Sequence, residues 1–419
     1  MQNPDLSAST GTGDNRRHGI SAGAHHFNVQ ALRQHLQGGV VTTLPPPTYI
    51  DSAEGLDVLV TALQGESLLA IDTESNSLYA YRERVCLIQL STRTADYLID
   101  PLIIENMQPL ASLFGDPAVE KVFHAAEYDL MCMKRDFGFS FATLFDTMIA
   151  ARVCGRKLIG LGSLLEEVAG VAVDKSHQRD DWGMRPLPDD SLNYAQMDTH
   201  YLPLLHDFFV EELTRLGRLE EAREAFRDVC NVPAARRETF DPEGYWRMSL
   251  PNNLTRREAA ILREIYALRE RIAQERDVPP FKVFSDKTLV AVAQRAPSST
   301  NDLRSIEGMT PSQLRRYGRS LLDAVAVGQH APLPTPPSPV PPSDPTVVER
   351  YAALREWRKT RALERGVESD VIISKDALWV LAERAPASLD EMDGVPGLGP
   401  WRREVYGAEI LAVIRRYRR

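Results

Sequence analysis

The 419-residue sequence contains few cysteines and no long apolar run. None of its four cysteines forms a C-x-x-C pair, which argues against a zinc site and is typical of free thiols in a reducing cytoplasm. No stretch of about 18 apolar residues predicts a transmembrane helix, and the N-terminus lacks the charged-then-apolar pattern of a secretion signal. We therefore expect a soluble, cytoplasmic protein without membrane contact, built from two or three domains.

Basic residues are outnumbered by acidic ones, which gives a formal net charge of −9 and is unusual for a protein that binds nucleic acid. The excess is uneven: residues 251–330 carry +4, residues 345–419 carry +2, and the remaining chain carries −15. A bound cation would reverse the local field of an acidic site. The modest positive charge of the C-terminal part permits nucleic-acid binding but does not require it.

Composition divides the chain into five parts. Residues 1–45 are rich in small and amide side chains, which predicts a disordered leader. Residues 46–240 alternate strand-like and helix-like segments and end in a charged helical connector, which predicts an α/β domain with a mixed sheet. Residues 331–345 form a proline-rich, extended spacer between two small all-α domains, at 241–330 and 346–419.

Apolar runs of strand length and segments with a helical period give the expected elements of the α/β domain. Strands are predicted at residues 67–73, 85–90, 96–100 and 119–124. Helices are predicted at residues 105–114, 127–137, 147–153, 161–168 and 190–216.

The two C-terminal segments resemble each other. Ala267-Leu268-Arg269-Glu270 recurs as Ala353-Leu354-Arg355-Glu356, and Ala293-Gln294-Arg295-Ala296-Pro297 recurs as Ala382-Glu383-Arg384-Ala385-Pro386. This pattern indicates a duplicated helical module of roughly 75 residues, longer than a solenoid repeat. A bundle used only for packing and a small binding module both fit it.

Four carboxylates in three separate segments are the main candidates for chemistry. Asp72 and Glu74 lie two residues apart on a predicted strand, so both point to one face. Asp129 lies on a predicted helix, and Asp198 follows Tyr194 by four residues, so those two side chains share a helix face. Each acid alone is more readily explained as a solvated residue. Together they offer oxygen ligands suited to Mg²⁺ or Mn²⁺, and two such ions can support an in-line phosphoryl displacement.

The order and spacing of these residues resemble the DEDD superfamily of 3′–5′ exonucleases, in its tyrosine branch, and within it the ribonuclease D family. The duplicated tail resembles the HRDC module, so the likeness covers residues from about 48 to 419. Asp180 departs from the serine usual in the family, and Ser75 stands where an aromatic residue is usual. Three further segments carry the resemblance: Phe145-Asp146-Thr147, Lys175-Ser176-His177-Gln178 followed by Asp181-Trp182, and Arg185-Pro186-Leu187.

The resemblance implies a ribonuclease-H-like α/β exonuclease domain with a mixed sheet, followed by two all-α helical-bundle HRDC domains. It implies a 3′–5′ exoribonuclease that releases nucleoside 5′-monophosphates with the help of two divalent cations, Mg²⁺ or Mn²⁺. The substrate would be RNA with a free 3′ end, such as tRNA precursors, and we expect a monomer. Asp72, Glu74, Asp129 and Asp198 would be the metal ligands, and Tyr194 would orient the attacking water.

Several further residues are expected to contact substrate, with packing or a solvated surface as the alternative. Those near the acids or in the family-like segment are Thr73, Ser75, Asn76, His124, Lys175 and Gln178. Those in the tail are Arg402 and Arg403, with Arg415, Arg416, Arg418 and Arg419 as additional candidates for phosphate contact.

Two other functions remain open from the sequence. The first is a DNA exonuclease of the same superfamily, although no helicase P-loop of the form G-x-x-x-x-G-K-[ST] accompanies the tail. The second is a non-catalytic RNA-binding protein with a decayed nuclease fold, although decayed members normally lose acids that this sequence keeps.

Overall fold

The computed structural model describes residues 44–237, 239–250, 253–338 and 344–417. Nearly all of the predicted leader, the middle of the predicted spacer, and Arg418 and Arg419 lie outside these residues. Within them no helix is long and apolar enough to cross a membrane.

In the described part of the chain, six strands form one mixed sheet in the order β1-β4-β3-β2-β5-β6. They are β1 (Thr48–Ile50), β2 (Leu68–Ser75), β3 (Val85–Ser91), β4 (Asp96–Ile99), β5 (Glu120–Phe123) and β6 (Leu144–Asp146). The pairs β2–β3 and β3–β4 are antiparallel, whereas β1–β4, β2–β5 and β5–β6 are parallel. The predicted mixed sheet is confirmed, and the edge strands β1 and β6 are additions to the sequence-based prediction.

Among the residues that the structure describes, eight helices surround the sheet. They are α1 (Ala53–Ala62), α2 (Ala111–Phe114), α3 (Glu127–Phe137), α4 (Thr147–Val153), α5 (Leu161–Ala169), α6 (Asp189–His200), α7 (Leu202–Arg215) and α8 (Leu219–Cys230). The single helix predicted at 190–216 is wrong, because the chain breaks at Tyr201, where Pro203 in the first turn of α7 cannot donate a helical hydrogen bond. The helix predicted at 105–114 is shorter, being a 3₁₀ turn at Gln108–Leu110 that continues into α2.

The central strand β2 changes its environment along its length. Its first four residues, Leu68–Ile71, are buried in the core, and the next four, from Asp72 to Ser75, are only partly buried. The apolar half anchors the strand between β3 and β5. The polar half therefore emerges from a rigid core at a fixed place.

Two helical bundles follow, each with its own buried core. The first contains α9 (Trp246–Ser249), α10 (Arg256–Glu275), α11 (Pro280–Val283), α12 (Asp286–Arg295), α13 (Thr300–Arg304) and α14 (Pro311–His330). The second contains α15 (Pro345–Arg365), α16 (Ser369–Ile372), α17 (Lys375–Arg384), a 3₁₀ turn at Asp390–Met392, and α18 (Pro400–Arg415). The predicted pair of all-α bundles is confirmed.

The duplication is visible in the backbone as well as in the sequence. Ala296 and Ala385, which are 89 residues apart, both adopt a left-handed conformation at the end of α12 and α17, with φ of 43° and 46°. Asp277 and Gly366, again 89 residues apart, both have positive φ in the turn after α10 and α15. Each of these turns contacts the α/β domain: Asp277 accepts a hydrogen bond from the Tyr81 backbone, and Gly366 packs against Gly155.

The second bundle is seated on α8 through buried ion pairs. Glu224 accepts hydrogen bonds from Arg402 Nη1 at 3.0 Å and from the Trp401 backbone N–H at 2.6 Å. Glu221, which is fully buried, binds the Arg365 guanidinium at 2.8 Å. The bundle is therefore docked on the α/β domain. Its position is set by these contacts and not by the length of the proline-rich spacer.

This docking corrects the prediction that Arg402 contacts phosphate. Its side chain is only 7% exposed, because it fills the interface between α8 and the second bundle. Besides Glu224, its guanidinium donates to the carbonyl oxygens of Ile372 and Val371, at 3.1 and 3.2 Å. With these partners inside the protein, Arg402 has a structural role.

Truncating Glu224 should release the second bundle from α8. We expect Glu224→Ala to lower the free energy of unfolding of the second bundle by about 3 kcal/mol, because it leaves Arg402 buried without its counter-charge. The matched control is Glu220→Ala on the same helix, since the Glu220–Arg223 pair is exposed and should change stability by less than about 1 kcal/mol. Urea unfolding followed by tryptophan fluorescence measures both, and equal effects would contradict the structural role.

Candidate active site

The polar half of β2 carries the first two candidate ligands. Asp72 and Glu74 pair in register with Gln89 and Leu87 of β3, and the register shifts immediately afterwards, between Glu74 and Ser75. Because they are two residues apart on a regular strand, both carboxylates point to the same face. The irregularity comes just after them and leaves their shared orientation intact.

Asp146 explains how α3 brings Asp129 to this face. The buried Asp146 carboxylate accepts hydrogen bonds from the backbone N–H groups of Ala125 and Ala126, which lead into α3. It also accepts from Met148 and Ile149, and so caps α4. A single carboxylate thus fixes the start of two helices, which places Asp129 in the first turn of α3.

A direct hydrogen bond ties Asp129 to β2. The Thr73 hydroxyl donates to Asp129 Oδ1 and thereby joins the strand that carries Asp72 and Glu74 to α3. Thr73 was predicted to contact substrate. In this structure its hydroxyl is hydrogen-bonded to Asp129, a predicted metal ligand. A contact between Thr73 and substrate remains a prediction.

Asp198 and Tyr194 arrive on α6, which packs across β2, β3 and β4. Asp198 is buried, and Tyr194, one turn earlier on the same face, partly offsets the rise that burial gives the pKa of Asp198. Burial and then the charges of Asp198, Glu74 and Asp72 raise the pKa of Tyr194 far above its usual range. Tyr194 therefore remains a neutral hydrogen-bond donor near the acids over the physiological pH range.

The pKa values show that the four acids interact. Burial raises the pKa of Asp72 well above its usual value, and the charges of Asp129, Asp198 and Glu74 raise it further. Burial, followed by Asp198, Asp129 and Asp180, raises the pKa of Glu74 to about 9. The pKa values of Asp129 and Asp198 are also raised, again chiefly by burial. Each carboxylate thus makes ionisation of the others less favourable, as expected of acids that share one site.

The donor chemistry of this cluster fits hard divalent cations, although its geometry is not closed around one. Among the described residues, no three His, Cys, Asp or Glu side chains stand where they could hold a metal ion together. Carboxylate oxygens are nevertheless the ligands that Mg²⁺ and Mn²⁺ prefer, and a cation would offset the repulsion that raises these pKa values. The four acids accordingly remain predicted ligands.

Three predicted substrate residues have partners within the α/β domain. The Ser75 hydroxyl donates to Glu83 at 2.9 Å, and the buried Asn76 accepts from the Arg84 backbone at 2.9 Å. His124 Nδ1 is 2.9 Å from the Thr147 hydroxyl, and burial lowers its pKa to about 4. His124 is therefore uncharged at neutral pH and does not offer a cation to phosphate.

The other predicted contacts lie at the surface. Lys175 and Gln178 are exposed in the segment that leads to Trp182. Arg403, on α18 of the second bundle, pairs with Asp393 at 2.8 Å. Their roles toward RNA remain predictions.

Two acids near the site were not predicted to take part. Asp180 lies close enough to raise the pKa of Glu74 and accepts hydrogen bonds from His177 Nδ1 at 2.8 Å and Ser191 at 2.6 Å. Its departure from the family pattern was the available signal. Glu83 accepts from the Tyr128 hydroxyl at 2.6 Å and from Arg135 at 2.9 Å, behind α3. Glu83 lies in a loop, and its partners are far away in the sequence, so no local spacing of residues could predict these contacts.

Comparison with known protein families matches both parts of the chain. Residues 47–214 match the 3′–5′ exonuclease family, and residues 258–325 and 348–414 each match the HRDC domain. Ribonuclease D of Gluconacetobacter diazotrophicus is 33% identical over 377 residues, covering 88% of this chain and 93% of that protein. Ribonuclease D of Jannaschia sp. is 32% identical over the same share of the chain and 95% of its own length.

Solved structures agree with these matches. The structure of Escherichia coli RNase D, described as an exoribonuclease involved in structured RNA processing, has a TM-score of 0.62 and 28% identity, covering 89% of this chain and all of that one. The catalytic core of RRP6 from Trypanosoma brucei has a TM-score of 0.62 and 29% identity, covering 70% of this chain and 83% of that one. The chain belongs to the ribonuclease D family and is a ribonuclease D-like 3′–5′ exoribonuclease.

Proposed function

We propose that this enzyme removes nucleoside 5′-monophosphates from the free 3′ end of RNA with two divalent cations, Mg²⁺ or Mn²⁺. The observation that carries the proposal is the convergence of four acids from β2, α3 and α6. The Thr73 hydroxyl of β2 donates to Asp129 of α3, and α6, which carries Asp198, packs across β2. Such a cluster is costly unless a cation offsets it, and 3′–5′ exonucleases of this superfamily generally use divalent metal ions.

The resemblance to the exonuclease superfamily implies the roles of these side chains. Asp72, Glu74 and Asp198 would hold one cation, and Asp72 and Asp129 the other. When bound, the cations would supply a water that ionises near neutral pH and a positive charge beside the leaving 3′-oxygen. Tyr194, which is neutral and one helical turn from Asp198, would orient the attacking water toward the terminal phosphodiester.

We also propose structured RNA, such as a tRNA precursor, as the natural substrate, on the model of the E. coli enzyme described for structured RNA processing. We propose that the enzyme acts as a monomer. Four free cysteines and the bacterial relatives support a location in the cytoplasm.

Replacing Asp72 tests the cation site. Asp72→Asn should reduce nucleotide release from a 3′-hydroxyl single-stranded RNA by about 10³-fold or more, because it removes the carboxylate shared by both proposed cations. EDTA should abolish release by the wild-type enzyme, and Mg²⁺ or Mn²⁺ should restore it.

The control for Asp72→Asn is Asp57→Asn, which makes the same chemical change at an exposed position on α1. It should leave turnover unchanged. Full activity of Asp72→Asn, or of the wild type in EDTA, would refute the two-cation proposal. A DNA oligonucleotide of the same sequence, assayed in parallel, separates a ribonuclease from a DNA exonuclease.

Tyr194 should act on turnover more than on affinity. We expect Tyr194→Phe to lower kcat by about 10²-fold with little change in RNA Kd, because it removes only the hydroxyl that orients the water. Tyr201→Phe, at the end of the same helix, is the matched control and should be near wild type. Equal losses of kcat and affinity would remove the catalytic role of Tyr194.

The repulsion among the four acids should also lower the thermal stability of the protein when no metal is bound. A carboxyl whose pKa is raised by folding destabilises the fold increasingly as pH rises from its unfolded pKa, near 4, through its folded pKa. Asp129→Asn should therefore raise Tm in EDTA at pH 8, and the gain should shrink as pH falls toward 4.

Added Mg²⁺ should reverse the order of the Tm values of the wild type and Asp129→Asn. It should raise the Tm of the wild type more than that of Asp129→Asn, because the variant lacks one ligand. Thermal unfolding by circular dichroism measures both effects. A gain in EDTA that is the same at pH 8 and pH 4 would contradict the coupling of these acids.

A further inference from the structure

The loop between β2 and β3, residues 76–84, begins two residues after Glu74 and reaches the first helical bundle. Its Tyr81 side chain packs against the core of that bundle. The Tyr81 backbone N–H donates to Asp277 Oδ1 at 3.1 Å, and its hydroxyl donates to Glu270 and accepts from Gln274 Nε2 at 2.8 Å. The bundle thus holds the loop by both backbone and side chain.

Tyr79 of the same loop touches two partners that lie far apart in sequence. Lys282 of the first bundle places its ammonium 3.8 Å from the centre of the Tyr79 ring, which is a cation–π contact. The Tyr79 hydroxyl donates to the backbone carbonyl of Arg179 at 2.6 Å. One side chain therefore connects the first bundle to the segment 174–182.

That segment forms one side of the active site. Its Asp180 raises the pKa of Glu74 and is fixed by hydrogen bonds to His177 and Ser191. Its Trp182 is buried, with its ring centre 6.2 Å from that of Tyr194. A shift of the segment would move the surroundings of both Tyr194 and Glu74.

We propose that Tyr79 is a positioning residue through which the first bundle holds segment 174–182 against Tyr194. The bundle then contributes to turnover itself, in addition to any contact it makes with RNA. The individual contacts are modest, but a misplacement of about 1 Å at a reacting centre can cost roughly 10²-fold in rate. This inference rests on the proposed catalytic role of Tyr194.

Two single substitutions separate the two ends of the connection. Tyr79→Phe removes only the hydrogen bond to the Arg179 carbonyl, and Lys282→Gln removes only the cation over the ring. The matched control is Lys287→Gln, which makes the same change in the same bundle at a lysine that pairs with Glu307 at the surface. A trinucleotide RNA is the substrate, because it is too short to need extended binding along the bundles.

We expect Tyr79→Phe and Lys282→Gln to lower kcat on the trinucleotide by about threefold to tenfold, the worth of one hydrogen bond, with KM nearly unchanged. Hydrogen–deuterium exchange should show faster exchange across residues 174–182 in both variants. Lys287→Gln should match the wild type in kcat and in exchange.

The outcomes distinguish this inference from the proposed function. Unchanged exchange at 174–182 in Tyr79→Phe would overturn it, as would faster exchange with unchanged kcat. A rise in KM alone would also overturn it, because that would make the loop part of RNA binding. Failure of the wild type to cut RNA would instead refute the proposed function, and the exchange data would still decide whether Tyr79 holds the segment.

Discussion

Mutual repulsion among four neighbouring carboxylates is the constraint that the α/β domain must overcome to hold them together. Each acid is delivered by an element that is fixed elsewhere: β2 by its buried first half, α3 by the Asp146 cap, and α6 by packing across three strands. These anchors hold the three elements in place near one another. The fold therefore maintains an unfavourable cluster at one place, which is the arrangement that a cation site needs.

The acidic α/β domain and the basic tail are also paired with each other inside the protein. Buried acids of α8 bind Arg365 and Arg402 of the second bundle, and Glu270 and Asp277 of the first bundle bind the β2–β3 loop. Part of the positive charge of the tail is thus paired with the acidic domain and is not presented to RNA. The bundles complete the enzyme's architecture in addition to extending its surface.

The sequence was sufficient to predict the mixed sheet and the paired bundles, because apolar runs and a repeated segment are local signals. The metal-binding role of the four acids remains a prediction. It missed β1 and β6, because strands of three residues carry little pattern and depend on their neighbours. Arg402 was misassigned because it was grouped with basic residues, although it shares a four-residue period with the buried Tyr406, Ile410 and Ile414. That period was a readable sign of burial.

Partner choice was the least predictable feature. Thr73, Ser75 and Asn76 lie beside the first two acids in sequence and so were expected near substrate. Their hydrogen bonds instead go to Asp129, Glu83 and the Arg84 backbone. These partners come from 8 to 56 residues away, so local spacing does not indicate them. The raised pKa values likewise depend on three segments meeting, which no single segment reveals.

The turns at Asp277 and Gly366 occupy the same position in the two copies, and each touches the α/β domain. Each bundle thus meets the α/β domain with the same turn of its repeat, although the surfaces that receive the two turns, at Tyr81 and at Gly155, are different. Gly155 is what lets the two backbones meet at the second turn, since a Cβ on it would lie 2.5 Å from the Gly366 carbonyl oxygen, whereas a Cβ on Gly366 would meet nothing within 4 Å.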